Sequence, residues 1–343
     1  MLLIAAPRRL NMPRCLRLLL ALSLAFFCSL VAYSRPSTAP PQLSIRPQRR
    51  PPDLDVSKLA LLVEDRPQPM LAPVLLHFMA VLPPSWPVLF LGSAASLAAL
   101  NASAAARAHA RTGRLSLQPI PANMSTAGQE MVSRFLTSRW LYEVAVAPAE
   151  WLLVFQTDSV ICANSRLDVD GFLGLDWVGA PWLPDAAWGG NGGLSLRRVS
   201  RIVEVLRYQQ RRDDSEPEDV WLTERLAHVP GANVANGSVS LTFSGEMHSG
   251  VAEAAASAEM RLCSNGTLLC NGVNERVKGI DDWRTGFYEP MGYHTGGSGK
   301  YLHSPIWGTP ELRRHIYGYC PEVKMTVAMD VARYVPGTCA GHW

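Results

Sequence analysis

Three short runs, Leu59–Val63 (LALLV), Trp86–Leu91 (WPVLFL) and Trp151–Gln156 (WLLVFQ), are apolar at nearly every position rather than at alternate ones. A strand that is apolar on both sides must be covered on both sides, and helices are the usual cover in a parallel sheet. Leu115–Ile120 is a fourth strand candidate. Between these runs lie segments with helical spacing: Met70–Leu82, the Ala-rich Ala94–Ala110, and Thr126–Val146. In the last, Val132, Phe135, Leu136 and Trp140 share one side, and Ser125 or Thr126 can cap the start with Gln129 or Glu130 in capping-box range. The alternation predicts an α/β fold with a mostly parallel central sheet and flanking helices. Such sheets place ligands at the carboxyl ends of their strands. Glu64, Asp65 and Asp158 follow strands directly and therefore stand where chemistry is expected.

After Asp158 the composition changes. Trp177–Trp182 and Trp188–Arg198 (WGGNGGLSLRR) are rich in Gly and Trp. Val199–Arg211 reads as an amphipathic helix. A further helix opens at Ser215-Glu216-Pro217-Glu218-Asp219, with Ser as cap, Pro in the first turn and acids against the helix dipole. Residues 232–282 read as a surface insertion or long loop.

The first 52 residues carry eight Arg, no Lys and no acid, which leaves 24 bases against 29 acids in the remainder. A mildly acidic body argues against nucleic acid as a partner, because phosphate binding requires a basic face. Leu18–Tyr33 is a sixteen-residue uncharged run behind Arg8, Arg9, Arg14 and Arg17. Basic residues stay on the cytosolic side. The pattern reads as residues 1–17 a cytosolic basic tail, 18–34 a signal anchor or transmembrane helix, 35–56 a Pro-rich stem and 57–343 a luminal domain. That is a single-pass type II membrane protein of the Golgi or endoplasmic reticulum lumen. A cleaved signal, with a secreted product, is the alternative, and Ala32-Tyr33-Ser34 is a tolerable cleavage site.

The cysteines fit an oxidising lumen. Cys263 with Cys270 and Cys320 with Cys339 are plausible disulfides, and Cys162, after an apolar run, reads as a buried thiol. Asn101, Asn123, Asn236 and Asn265 open glycosylation sequons.

Several groups carry chemistry. A carboxylate at a strand end, Asp158, suits a divalent cation on a diphosphate. Gln156, two positions earlier, leaves a second carboxylate missing. The glycines around Asn191 allow close approach of backbone to a ligand, and Trp182 and Trp188 offer faces for sugar rings. His294 and His303 are candidate imidazole ligands. GGSGK at 296–300 lacks both the leading Gly and the trailing Ser/Thr of a phosphate loop.

In this order the pieces resemble a glycosyltransferase of the A-type fold. FQTDS at 155–159 resembles a degenerate D-x-D metal motif, GGNGGLSLRR at 189–198 a Gly-rich acceptor-side strand, and EPEDVWLTERL at 216–226 the acidic segment near an acceptor hydroxyl. VEDRP at 63–67, those three stretches and GFYEPMGYHTGG at 286–297 are similar to the hallmarks of a fungal family known only as domain of unknown function 5672. The resemblance implies a nucleotide-sugar donor with Mn²⁺ or Mg²⁺. It places Glu64, Asp65 and Asp158 at the donor, Asp158 with His294 on the metal, and Asp219 or Glu218 as catalytic base. Trp182, Trp188, Asn191, Gly192 and Gly193 would meet a glycan acceptor. A non-catalytic carbohydrate-binding protein on a decayed transferase scaffold is the alternative, favoured by Gln156; a secreted hydrolase with paired carboxylates is a weaker third reading.

Overall fold

A computed structural model describes residues 53–249 and 279–327. The anchor, most of the stem, Asn265, Cys263, Cys270 and Cys339 lie outside the described residues. Among the described residues no helix is long and apolar enough to cross a membrane.

The elements follow the expected alternation. They are β1 (Lys58–Glu64), α1 (Leu71–Val81), β2 (Val88–Gly92), α2 (Ala94–Ala102), α3 (Ala104–Arg111), β3 (Leu115–Pro119), α4 (Gln129–Leu136), β4 (Trp151–Phe155) and the short β5 (Ser159–Ile161). Then come β6 (Trp177–Ala180), β7 (Asn191–Arg198), α5 (Val199–Tyr208), α6 (Glu218–Ala227), α7 (Gly237–Phe243), β8 (Ser244–Gly245), β9 (Gly292–His294), α8 (Ser304–Trp307) and α9 (Pro310–Tyr319).

The main sheet has the order β3-β2-β1-β4-β7-β6. β1 to β4 are mutually parallel, whereas β7 runs antiparallel to both β4 and β6, so the sheet is mixed. The side chains explain the double cover. Ala60, Leu62, Leu153 and Phe155 point to a core completed by α1, α2 and α3. Leu61, Leu152 and Val154, one residue out of step, point to a second core under α4, α5 and α6. The Phe78 and Phe155 rings stack at 3.8 Å and tie α1 to the end of β4. A smaller sheet, β5-β9-β8, lies between the main sheet and a third core formed with α8 and α9.

Several local expectations are corrected. The long helix over 126–146 is broken: α4 begins after Gly128 (φ 85°) and ends at Leu136, and a π-helical turn, Leu141–Ala145, follows. The Thr137 and Ser138 hydroxyls donate to the carbonyls of Ser133 and Phe135, at 2.7 Å each, competing with helix continuation. Ala94–Ala110 is two helices, because Ser103 leaves the helical conformation and caps α3. Ser215 does not cap α6; its hydroxyl donates to Arg212 O, and the first turn is met instead by Ser133 Oγ, which accepts from Glu218 N at 3.3 Å. The described part of the supposed insertion contains α7 and β8, and β8 pairs in parallel with β9.

Cys162 is not a thiol. It is bonded to Cys320, with Cα atoms 4.9 Å apart, which also removes Cys320 as the partner of Cys339. The two residues are 158 apart in sequence and share the third core, so neither spacing nor flanking composition signals the pair. Closing so long a loop restricts the unfolded chain. Non-reducing peptide mapping is expected to recover a Cys162–Cys320 cross-linked peptide, and Cys162→Ala/Cys320→Ala to lower stability by about 2–5 kcal/mol in chemical denaturation.

Candidate functional site

The parallel strands deliver Glu64 and the 156–158 segment to one rim of the sheet. β7, being reversed, starts where its neighbours end. Phe155 pairs with Leu194, and Gln156 N donates to Gly193 O at 2.9 Å, so Asn191, Gly192 and Gly193 join the same rim. β9 adds His294 beside Asp158 through the Ser159–His294 pairing. The amino end of α6 lies over Gly192.

Two adjoining hollows open there. The first, about 360 Å³, is lined by Glu64, Asp65, Arg66, the 126–128 loop and an apolar floor that includes Phe135, Val154 and Phe155. The second, about 510 Å³, is lined by Asn191, Gly192, Gly193, Glu218, Asp219, His294 and Tyr301. Gln156, Asp158 and Ser298 line both. The expected donor, metal and base residues are therefore gathered in one cleft. Trp182 and Trp188 line neither hollow. Trp182 packs on Gly189, where a Cβ would stand 2.6 Å from its ring, and Trp188 is exposed with its ring edge toward His228. His303 precedes α8 and is also outside the cleft.

Each carboxylate has a distinct environment. Glu64 is saturated: it accepts from Arg66 N, Nε and Nη2 and from Gln68 Nε2, all at 2.8–3.0 Å. Asp158 Oδ2 accepts from Ser298 N at 2.8 Å, and Oδ1 lies 3.4 Å from His294 Nε2. Burial raises the Asp158 pKa, but the His294 charge and hydrogen bond outweigh it and the net shift is downward. His294 is itself buried, which disfavours its charge; Asp158 and Glu246 on either side override this and lift its pKa to about 10.

Glu218 and Asp219, adjacent in sequence, are electrostatically unlike. Glu218 Oε1 accepts from Arg197 Nη2 at 2.7 Å. That guanidinium is fully buried over the Trp177 ring and also donates to Tyr142 Oη, Ser195 Oγ and Gly192 O. Asp219 has no counter-ion of its own. Its Oδ2 accepts from Gly192 N at 2.9 Å and its Oδ1 from Val220 N at 2.8 Å. Burial, and next the charge of Glu218, push its pKa up to about 7 against the pull of these two N–H groups.

Two glycines make this assembly possible. A Cβ on Gly192 would crowd Glu218 Oε1 and Asp219, and one on Gly193 would overlap the His294 ring. The Gly run thus lets acid and imidazole close on the strand, a role distinct from turning the chain. Residues that sequence reasoning missed are Arg197, Tyr142, Ser298, Tyr301 and Glu246. Only Arg197 left a signal, a charge at an inward position of a strand whose neighbours are buried.

The first three sequons expose their asparagines: Asn101 lies in α2, Asn123 in the loop after β3, and Asn236 caps α7.

A family model described as a protein of unknown function (DUF5672) matches residues 114–260. The match includes Asp158, the Gly run, Glu218, Asp219 and Glu246; Glu64 and His294 lie outside it. No curated protein matches the sequence. Among solved structures, the chain is similar to the apo form of glycosyltransferase GlyE of Streptococcus pneumoniae at 8% identity and TM-score 0.38, covering 71% of this chain and 55% of that one. It is also similar to the mannosyltransferase PcManGT of Pyrobaculum calidifontis, solved with GDP-Man and Mn²⁺, at 13% identity and TM-score 0.34, covering 59% and 61%. The mannosyltransferase Ktr4p of S. cerevisiae matches at 10% identity and TM-score 0.27, over 41% and 45%. The chain thus spans about half of the length of the structures it matches, between 45% and 61% in these three.

Arg197→Leu is expected to strand Glu218 as a buried unpaired charge and cost about 3–5 kcal/mol in urea unfolding at pH 7. Gly193→Ala is expected to displace His294, read as a shifted imidazole resonance in the NMR spectrum.

Proposed function

We propose that this chain, matched over residues 114–260 by the DUF5672 model, transfers a sugar from a nucleotide-sugar donor to a hydroxyl of a glycan or glycoprotein. The observation that carries the reading is the convergence of Asp158, Asp219 and His294, 136 positions apart at the extremes, on one cleft at the carboxyl rim of the sheet. The hollow with the apolar floor suits a nucleoside, with Glu64 and Asp65 at its edge. The hollow around Asp219 suits the acceptor, with Asn191, Gly192 and Gly193 offering backbone and amide contacts. Asp158 stands where the two meet, which is where a sugar diphosphate would lie.

Asp219 is the base in this reading, because Glu218 is committed to Arg197. A carboxylate with a pKa near 7 is half-ionised at neutral pH and accepts a hydroxyl proton more readily than an ordinary carboxylate does. As Asp219 takes the proton, the acceptor oxygen bonds to the anomeric carbon and the bond from that carbon to the diphosphate breaks, releasing nucleoside diphosphate. The close packing of Gly192 holds Asp219 in place for that transfer.

In the cleft or directly behind its lining there is more acid than base: Glu64, Asp65, Asp158, Glu218, Asp219 and Glu246 outnumber Arg66, Arg197 and His294. An anionic diphosphate entering it requires added positive charge. Among the described residues no three His, Cys, Asp or Glu side chains group to hold a metal. The Asp158 carboxylate and the His294 imidazole are nonetheless a hard oxygen and a nitrogen suited to Mn²⁺, and they face each other at the donor end. These two would hold the ion, which would displace the Nε2 proton of His294 on binding and, when bound, would offset the charge growing on the departing diphosphate.

The Cys162–Cys320 disulfide and the exposed Asn101, Asn123 and Asn236 support placement in the oxidising lumen of the secretory pathway. Membrane attachment through residues 18–34 is part of the same proposal.

The test is release of nucleoside diphosphate from UDP-sugar and GDP-mannose donors with Mn²⁺, alongside calorimetry with UDP and GDP. Turnover is expected to rise through pH about 7 as Asp219 ionises. Asp219→Asn is expected to cut it by about 10²–10⁴-fold with donor affinity kept. Glycan binding without any nucleotide binding would instead support the non-catalytic reading. Because a raised carboxylate pKa means the folded state resists ionisation, Asp219 costs more stability at pH 8 than at pH 5. Asp219→Asn is therefore expected to raise Tm more at pH 8 than at pH 5.

A further inference from the structure

His294 Nε2 lies 3.4 Å from Asp158 Oδ1 and 3.2 Å from Gln156 Oε1. Adjacent donors around a small hard cation with bonds of about 2.1 Å sit about 3 Å apart, so Nε2 already stands near ligand spacing from both oxygens, and the proton it shares with them is what an ion would replace. The opposite side of the ring is as specific. Nδ1 is buried, makes no well-directed hydrogen bond, and faces Glu246 Oε1 at 3.1 Å. Glu246 is held in turn by Asn191 Nδ2 at 3.4 Å. The ring, 6% exposed, is pressed against Gly193, which fixes its plane. A histidine on a metal characteristically turns its far nitrogen to a carboxylate, which sets the tautomer and leaves the near lone pair for the ion.

We propose that the amide oxygen of Gln156 is the third protein donor to the divalent cation at Asp158 and His294, and that Glu246 is the positioning residue that orients His294 through Nδ1. This rests on the donor-site reading above and adds two residues to it. Gln156, which breaks the two-carboxylate pattern in the sequence, keeps an oxygen at the same place with one charge fewer. Glu246 comes from β8's end, inside a stretch whose composition signals only a loop.

The full chain, free of nucleotide, is titrated with Mn²⁺ and the free ion is followed by electron paramagnetic resonance. Spin-echo envelope modulation reads the coordinated nitrogen, and thermal melting checks the fold of each variant. The wild type is expected to bind a single Mn²⁺ with one imidazole nitrogen coupled to it. Gln156→Ala is expected to weaken binding about tenfold and Gln156→Asp to restore it. Glu246→Ala is expected to weaken it about 10–100-fold and alter the nitrogen coupling, with Glu246→Gln, which keeps an acceptor oxygen, losing less. Absence of Mn²⁺ binding to the wild type, or wild-type affinity and coupling in Gln156→Ala and Glu246→Ala, overturns the assignment. Bound Mn²⁺ with this variant pattern but no donor turnover supports the assignment and defeats the transferase reading. Turnover without Mn²⁺ binding does the reverse.

Discussion

β7 is the strand on which the site depends. Parallel strands bring only their carboxyl ends to a given rim, so the main sheet would otherwise give the cleft only the residues at the ends of β1 and β4. By running backwards between β4 and β6, β7 presents its first residues to that rim while its last, Arg198, pairs with Trp151 at the other end. Ladder hydrogen bonds set the register, and the register sets the chemistry: Gln156 lies opposite Gly193, and Asp219 docks on the N–H of the residue before it. A slip by one residue would turn the Gly193 position away from His294 and, in one direction, put Leu194 in its place.

The second constraint is electrostatic. Burying a guanidinium such as Arg197 is costly unless every donor finds an acceptor. Here the acceptors are Glu218, Tyr142, Ser195 and the carbonyl of Gly192, and the ring face of Trp177 covers the plane. Glu218 is paired directly with that cation. Its charge then acts on Asp219, which is equally buried but receives only two backbone N–H groups. Two neighbouring acids on one helical turn thus stand in opposite environments, one against a buried cation and the other held only by backbone N–H groups.

The strands were legible because burial on both faces leaves an unbroken apolar run, as in WLLVFQ, and the helices between them because their periodicity is long enough to count. Asp158 and Asp219 were legible by their position after a strand and at a helix start. Trp182 and Trp188 were misplaced because an aromatic beside glycines reads the same whether it packs on its own loop or on a ligand. The Cys162–Cys320 bond joins segments that are distant in sequence and meet in the third core, and Glu246 reaches His294 through β8, two residues long, too short for any pattern. What the sequence hid is what depends on contacts between distant segments.

The loop after β9 shows how the two halves of the cleft are kept in register. Gly296, Gly297, Ser298 and Gly299 all take left-handed backbone angles, with φ of 68°, 52°, 58° and 76°. Glycine adopts that conformation freely, but Ser298 does so at a cost. Its N–H is the one that donates to Asp158 Oδ2, a charge-assisted bond able to offset that cost. The two oxygens of Asp158 are therefore divided: Oδ2 holds the loop that brings Tyr301 to the hollow around Asp219, and Oδ1 faces His294. One carboxylate, just past β4 and its Phe155–Phe78 stack, thus lines both hollows.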